Sequence, residues 1–441
     1  MPQPDRLVVL LAGRHSSLPP AEIAACADGL ADLRFLVDSG DYEADLLAVA
    51  EALAPTMRID FSDHDACLDA VRRACATVVA TFVDQLCPLV AWLNARLNGE
   101  AGTEALWGHK DVQRQRLRDA GLSGVISNGF SDGISLREFT RSAGFPIVVK
   151  PTNGCASHDV WLLRQEAEVE EFLARSGTGP NQELDHMFAE QLIVGETWAG
   201  PHRADYVSAE VFRPGSRDGA AALRFVTDRL PLAWPFRETG LILPSVIAPD
   251  RQQLVLKTAE QALDAVGASR GVFHVEIKTT SPVPEIIEVN GRLGGFVARL
   301  VRYGTGERLG RLALSCVLGR AQNLTLRWDR CALVLLFQAP PAAVAVTRAP
   351  ARREIGRMPG VVAVDNVSPA GTAVDWRNGT NHAVAWVWLT ADGHDELRER
   401  LGDLVAFLSG SFTFVGADGR EVRGSEWLER ISGQPDLEKT R

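Results

Sequence analysis

The sequence predicts a mixed α/β and α+β protein in three parts, and three observations lead there. Over residues 1–100, apolar strands at Leu7–Leu11, Arg34–Val37, Met57–Phe61 and Val78–Phe82 alternate with helices such as Ala21–Leu30 and Tyr42–Leu53, the pattern of a parallel sheet. Over residues 101–320, short apolar strands break at glycines and carry charged residues at their ends. From 321 to 441 the chain is strand- and turn-rich, with Ala332–Gln338, Val361–Val367 and His382–Thr390 around the turn Asn378-Gly-Thr-Asn381, then a helix Asp392–Leu408. The last ten or so residues read as disordered. No internal repeat or low-complexity tract interrupts this organisation.

Composition limits the class. With 441 residues and 46% hydrophobic content the chain can bury several cores. A net charge of -10 and a pI near 5.5 argue against a nucleic-acid surface, which needs clustered Lys and Arg. The start at Met1-Pro-Gln-Pro-Asp has no basic region or cleavable apolar segment, and no apolar run reaches about 18 residues, so a cytoplasmic protein without membrane partners is expected. Seven scattered cysteines without a C-x-x-C pair indicate neither a disulfide framework nor a zinc site. The apolar N-terminal stretches could be core or interface, which leaves a homodimer open.

The most informative segment is the hairpin Gly271-Val-Phe-His-Val-Glu-Ile-Lys-Thr-Thr-Ser-Pro-Val-Pro-Glu-Ile-Ile-Glu-Val-Asn-Gly-Arg-Leu-Gly-Gly295. Strand alternation puts His274 and Glu276 on one face against Phe273, Val275 and Ile277; on the return, Glu288, Asn290 and Arg292 face away from Ile287 and Val289. Cross-strand neighbours lie about 5 Å apart, so Glu276 and Glu288 can share a cation, with the Asn290 carbonyl oxygen as a third hard donor. Oxygen-only ligation favours magnesium or manganese over zinc. Arg292 could clasp a phosphate beside the metal. His274 could orient a ligand or be a packed structural histidine.

Of the 46 basic residues only five are lysines (110, 150, 257, 278 and 439), leaving 41 arginines. Lys150 ends the buried strand pattern Phe145-Pro-Ile-Val-Val-Lys-Pro151 and opens the loop Thr152-Asn153-Gly154-Cys155-Ala156-Ser157, where small residues allow main-chain N–H groups to approach a phosphate. It is not a Walker loop, since no G-x-x-x-x-G-K-[ST] occurs. Met187-Phe-Ala-Glu190-Gln191-Leu192-Ile193-Val-Gly195-Glu196 is an apolar strand that breaks at glycine and could wedge a purine, with a carboxylate for ribose hydroxyls. Leu106–Leu122 reads as an amphipathic helix capped by Gly121, with Lys110 near its start, either reaching a phosphate or solvated.

In this order, Lys110, the Val-Val-Lys150-Pro strand and its loop, the Glu190-Gln-Leu-Ile segment ending at Glu196, and Glu276 with Glu288-Val-Asn290-Gly-Arg292, the sequence resembles the ATP-grasp superfamily and within it the carboxylate-amine ligases. The resemblance covers roughly residues 106–295. It implies two α+β subdomains gripping ATP, a Rossmann-like N-terminal domain over 1–100, an ATP-grasp fold over 101–320 with a lid over 121–196, and a small β-rich C-terminal α+β domain over 321–441. It further implies that Lys110 and Lys150 hold phosphates under the loop from Asn153 and Gly154 to Ser157. Glu190, Gln191, Leu192 and Ile193 would frame adenine, and Glu196 the ribose. Glu276, Glu288 and Asn290 would hold two Mg2+ ions, and Arg292 the transferred phosphate. The loop departs from the family in reading Gly-Cys-Ala-Ser in place of a richer glycine run.

The segment Asp228-Arg229-Leu-Pro-Leu-Ala-Trp234-Pro-Phe236-Arg237-Glu238 gathers aromatic, basic and acidic residues that periodicity does not explain, and it resembles the substrate segment of the L-amino acid ligases. Glu238 would bind an ammonium, Arg229 a carboxylate, and Trp234 or Phe236 an apolar side chain; Gly294 and Gly295, beside Arg292, complete the expected substrate wall. The expectation is an enzyme that joins a small carboxylate and a small amine through an acyl-phosphate, with Arg292 and Lys150 catalytic. Two alternatives use the same residues: another acceptor, such as a carrier-protein thiol or bicarbonate, or a module that binds ATP without turnover.

Overall fold

The computed structural model describes residues 5–12, 16–40, 44–99, 109–152, 154–175, 187–215, 221–320, 323–422 and 428. The N-terminal unit runs β1 (Arg6–Leu11), α1 (Pro20–Ala27), β2 (Asp32–Asp38), α2 (Ala44–Leu53), β3 (Thr56–Ile59), α3 (His64–Arg73), β4 (Val78–Thr81) and α4 (Cys87–Leu97). Its four strands are parallel in the order β3-β2-β1-β4. A parallel sheet is covered on both faces, which is why β1 is apolar from Leu7 to Leu11. Leu7, Val9 and Leu11 enter one core and Val8 and Leu10 another. These stretches are core.

The second unit follows with α5 (Lys110–Asp119), β5 (Ser127–Phe130), α6 (Gly133–Ala143), β6 (Ile147–Pro151), β7 (Trp161–Leu163), α7 (Glu166–Arg175) and β8 (Met187–Gln191). Its antiparallel sheet has the order β5-β8-β6-β7. Ile147 and Val149 pack beneath α6 and α7, so strand alternation delivers Val148 and Lys150 to the opposite face. The expected helix from Leu106 begins at Lys110; residues 106–108 lie outside those described.

The third unit contributes β9 (Tyr206–Pro214), β10 (Leu223–Arg229), β11 (Gly240–Leu243), α8 (Pro249–Val266), β12 (Arg270–Lys278), β13 (Glu285–Asn290), α9 (Val297–Thr305) and α10 (Leu309–Val317). Then come β14 (Cys331–Phe337), β15 (Ala343–Arg348), α11 (Arg352–Ile355), β16 (Val361–Val367), β17 (Ala385–Ala391), α12 (His394–Ser411), β18 (Thr413–Gly416) and β19 (Glu421–Val422). Eight strands form one sheet, β13-β12-β9-β10-β11-β14-β17-β16. The division expected at residue 320 therefore falls inside a continuous sheet, because β14 pairs with β11 from Ala332–Leu335 to Gly240–Leu243. Alternation again sets the faces: Val207, Ala209, Val211, Phe273, Val275 and Ile277 pack on α8, which turns Ser208, Glu210, His274 and Glu276 the other way.

The N-terminal sheet leans on this body through α1 and α10. Arg311 donates to the carbonyls of Cys26 and Asp28 at 3.2 and 2.9 Å. The exposed edge of β13 is covered by α5, where the Gln113 amide both donates to and accepts from the main chain of Val289 at 2.8 Å.

Candidate active site

A cavity of about 600 Å3 opens between all of these parts and collects most of the residues singled out in the sequence. Its floor is the β12–β13 hairpin. The register is His274 opposite Asn290 and Glu276 opposite Glu288, as alternation requires for two acids sharing one face. Beyond that pair the register shifts, and Ile286 faces Ile277. Ile287 is the extra residue of this β-bulge, so it lines the cavity beside Glu288 instead of turning away with Val289.

The charges on the floor are paired. Lys110 Nζ lies 2.7 Å from Glu288 and donates to the Gly154 carbonyl at 2.9 Å. Burial favours a neutral Glu288, but the nearby Lys110 and Lys150 overcome it and hold the carboxyl down at about 2. For Glu276, burial pushes up while the hydrogen bond from His274 pulls down, and the net direction is down. His274 is itself buried; burial opposes its charge, yet the Glu210 carboxylate 2.5 Å from Nδ1 raises the imidazole to about 9. Nε2 meets Arg229 at 3.0 Å and Glu276 at 3.4 Å. His274 is thus a link between a fully buried acid and a floor acid, not a packed bystander.

Lys150 Nζ lies 2.5 Å from Glu190, whose other oxygen accepts from Arg114 at 2.8 Å. Glu190 is buried and faces these two cations, so it serves first to hold Lys150. Arg114 also donates to the Ile286 and Ile287 carbonyls at 2.7 and 3.1 Å, fastening α5, β8 and β13 together. Gln191, Leu192 and Ile193 continue along the wall, with the Leu192 N–H donating to Pro146 at 3.1 Å. Three of the five lysines, 110, 150 and 278, line the cavity.

The loop after β6 covers this end. Ala156, Ser157 and Asp159 hold positive φ of 51°, 56° and 51°, and the loop is tied to the β16–β17 and β10–β11 connections. Thr380 N–H donates to the Ala156 carbonyl at 2.7 Å, Asp159 N–H to Arg377 at 2.8 Å, and the Ser157 hydroxyl to Phe236 at 2.8 Å. Gly379 allows that approach, since a Cβ there would stand 2.3 Å from the Ala156 carbonyl. Gly154 lines the cavity; Asn153 lies outside the described residues.

Several expected residues stand elsewhere. Glu196 is exposed, accepts from Trp198 and Ser281 at 2.9 and 3.0 Å, and does not reach the cavity wall, because the chain turns outward after Ile193. Trp234 is 36% exposed and packs edge-on against Trp376, while Phe236 lines the cavity in its place. Gly294 is buried beneath Gly295; its N–H donates to Glu210 at 3.1 Å, and a Cβ there would meet His274 at 2.6 Å, so it is a packing position. Asn290 donates to Glu288 at 3.1 Å and borders an adjoining smaller cavity. Arg229 and Glu238 both line the main cavity, paired with each other.

Arg292 pairs with Asp84, contributed by the N-terminal unit, and donates to the Leu293 carbonyl at 3.2 Å. Asp84, Arg114 and Glu210 were not found by sequence reasoning. Glu210 alone had a local signal, an acid in the middle of the buried strand Tyr206–Pro214. Among the described residues no cluster of three or more His, Cys, Asp and Glu side chains meets as a metal cage. The donors suited to a hard divalent cation are the two facing acids and the neighbouring amide.

Residues 143–299 match the family model of the ATP-grasp domain. The chain contains an ATP-grasp domain. This domain holds the hairpin, Lys150 and Glu190, while Lys110 precedes it. The chain is 36% identical to carnosine synthase 1 of Mus musculus over 102 residues, 22% of this chain and 12% of that protein, so it spans only a small part of that relative's length. By structure it resembles an L-amino acid ligase from Bacillus licheniformis, with a TM-score of 0.69 and 19% identity over 94% of this chain and 100% of the other. It also resembles the biotin carboxylase domain of a 2-oxoglutarate carboxylase from Hydrogenobacter thermophilus, crystallised with MgADP, ADP and bicarbonate, with a TM-score of 0.60 and 12% identity over 98% and 94% of the two chains. These structural likenesses show that the chain shares the fold of those two proteins. No helix among the described residues is long and apolar enough to cross a membrane.

Proposed function

We propose that the protein is an ATP-dependent carboxylate-amine ligase that forms an amide bond on amino acids or amino-acid-like substrates through an acyl-phosphate. The observation that carries this reading is the convergence of Glu276 opposite Glu288, Lys110, Lys150 and Arg292 on one cavity. A carnosine synthase and an L-amino acid ligase among the similar proteins support amino acids as the substrate class.

In this reading Lys150, aimed by Glu190, and Lys110 neutralise the nucleotide phosphates, and the loop from Gly154 to Ser157 shields them from water. Glu276 and Glu288, with the Asn290 carbonyl oxygen, are the residues that would hold Mg2+. Their oxygen donors and ionised state fit a hard divalent cation, which supplies charge neutralisation at the phosphoryl oxygens. An oxygen of the substrate carboxylate attacks the γ-phosphorus, the bond to ADP breaks, and ADP leaves with its electron pair. The amine nitrogen of the second substrate then attacks the acyl carbon and loses a proton; the carbon–oxygen bond breaks and phosphate departs. Arg292, aimed by Asp84, donates to the oxyanion that forms between these events. Glu238 stands where a substrate ammonium could join the Arg229 network.

The test is to incubate the full chain with ATP, Mg2+ and pooled amino acids, following ADP by a coupled assay and products by mass spectrometry. Amino-acid-dependent ADP release with a product lighter by one water than its two substrates is expected. ADP release only with bicarbonate or a carrier thiol would replace the amine acceptor, and nucleotide binding with no turnover in any pool would reject the ligase.

A further inference from the structure

Past Arg292 the cavity forms a chamber walled by aromatic residues of the N-terminal and third units. Phe82 is supplied by the loop after β4, Phe296 by the start of α9, and Trp386 and Trp388 by β17. Phe296 meets Trp386 edge to face at 5.3 Å and 89°, and Trp388 at 5.9 Å. The Arg299 guanidinium lies 4.4 Å from the Trp388 ring; Arg299 and Asp365 also line the cavity, and Asp365 accepts from the Trp388 indole N–H at 2.7 Å. The equivalent group of Trp386 is buried and has no hydrogen-bond partner among the described residues.

One further observation sets this chamber apart from ordinary core. Phe296 holds a left-handed φ of 67°, which is costly for a bulky residue and persists where the surroundings enforce it, commonly at ligand sites. Aromatic walls favour flat apolar groups, which can stack or meet them edge-on.

We propose that this chamber is the side-chain pocket for one of the two ligase substrates and selects a planar apolar group, of phenyl to indole size. The assignment rests on the ligase reading for its role in turnover, but not for binding. Phenylalanine, tryptophan and glycine titrated calorimetrically into the full protein test it without turnover, with a non-hydrolysable ATP analogue present and absent. Binding of the aromatic acids and not of glycine is expected. Trp386→Ala should weaken aromatic binding by about tenfold or more, the range one lost wall of an apolar pocket commands. Trp386→Phe should keep the preference and lose only part of the affinity, and neither variant should change binding of the nucleotide analogue. Equal binding of glycine and tryptophan, or an aromatic preference that survives Trp386→Ala and Phe296→Ala, would overturn the proposal. Selective binding without ADP release would instead overturn the ligase reading and leave the pocket standing.

Discussion

The two ends of the cavity are built on opposite principles. Below the loop after β6, charged side chains are already matched, Lys110 with Glu288, Lys150 and Arg114 with Glu190. Past Arg292, aromatic rings line the wall and one buried donor is unmatched. Paired charges hold geometry for a chemistry that does not vary with the substrate, whereas apolar walls adjust selectivity by shape. An enzyme with one nucleotide and a choice of substrates needs both.

The sharpest way to break this contrast is Glu288→Gln, which removes a carboxylate while keeping its shape. ADP release should fall below detection while the circular dichroism of the folded state is retained, because the variant lacks one of the two facing acids and leaves Lys110 without its partner. Retained turnover would reject the floor as the metal-holding end. Arg114→Met comes next. It strands Glu190 and Lys150 in a buried setting, and losing one member of such a group typically costs about 3–5 kcal/mol. Denaturant unfolding should show a loss of that order; a loss near zero would mean that the group is not a structural tie.

Gly379→Ala tests the joint between the loop and the β16–β17 connection. The residue sits at φ 75° and ψ -160°, where a Cβ would also strike Ala156. A cost of about 1–3 kcal/mol is expected for that backbone region, together with faster proteolysis near Ser157. Unchanged proteolysis would separate the loop from that connection. The smallest effect concerns acid. Burial favours a neutral Glu190, but Lys150 and Arg114 outweigh it and lower its pKa below 4.5. A lowered carboxyl pKa contributes stability that is present above the unfolded value and lost as pH falls through the folded one. Between pH 5 and lower values, stability should therefore decline more steeply in the parent than in Glu190→Gln, and parallel curves would contradict the pairing.

Much of this was legible in the sequence. The alternation of apolar strands and helices over residues 1–100 emerges as four parallel strands, and the period of two in the hairpin puts Glu276 against Glu288. Local patterns are readable because they are set by neighbours in the chain. The bulge at Ile287 is not, since an extra residue leaves no mark on hydrophobic alternation. Arg114 carried no local signal within the amphipathic helix; its burial follows from docking on β8 and β13, contacts made across 76 and 172 residues. Asp84 meets Arg292 over 208 residues, beyond any local signal. Glu196 and Trp234 were read from composition near a site, but the path of the loop decides which way a side chain points, and it chose Phe236. The continuous eight-stranded sheet escaped notice for the same reason: pairing of β11 with β14 spans a helix-rich stretch that reads as a boundary.

Three hydrogen bonds moor the phosphate-covering loop to residues 236, 377 and 380. Thr380 and Asn381 also belong to the cavity wall, so the loop and that stretch of wall share one attachment. In the proposed ligase, passage of ADP beneath that loop would require these three hydrogen bonds to break.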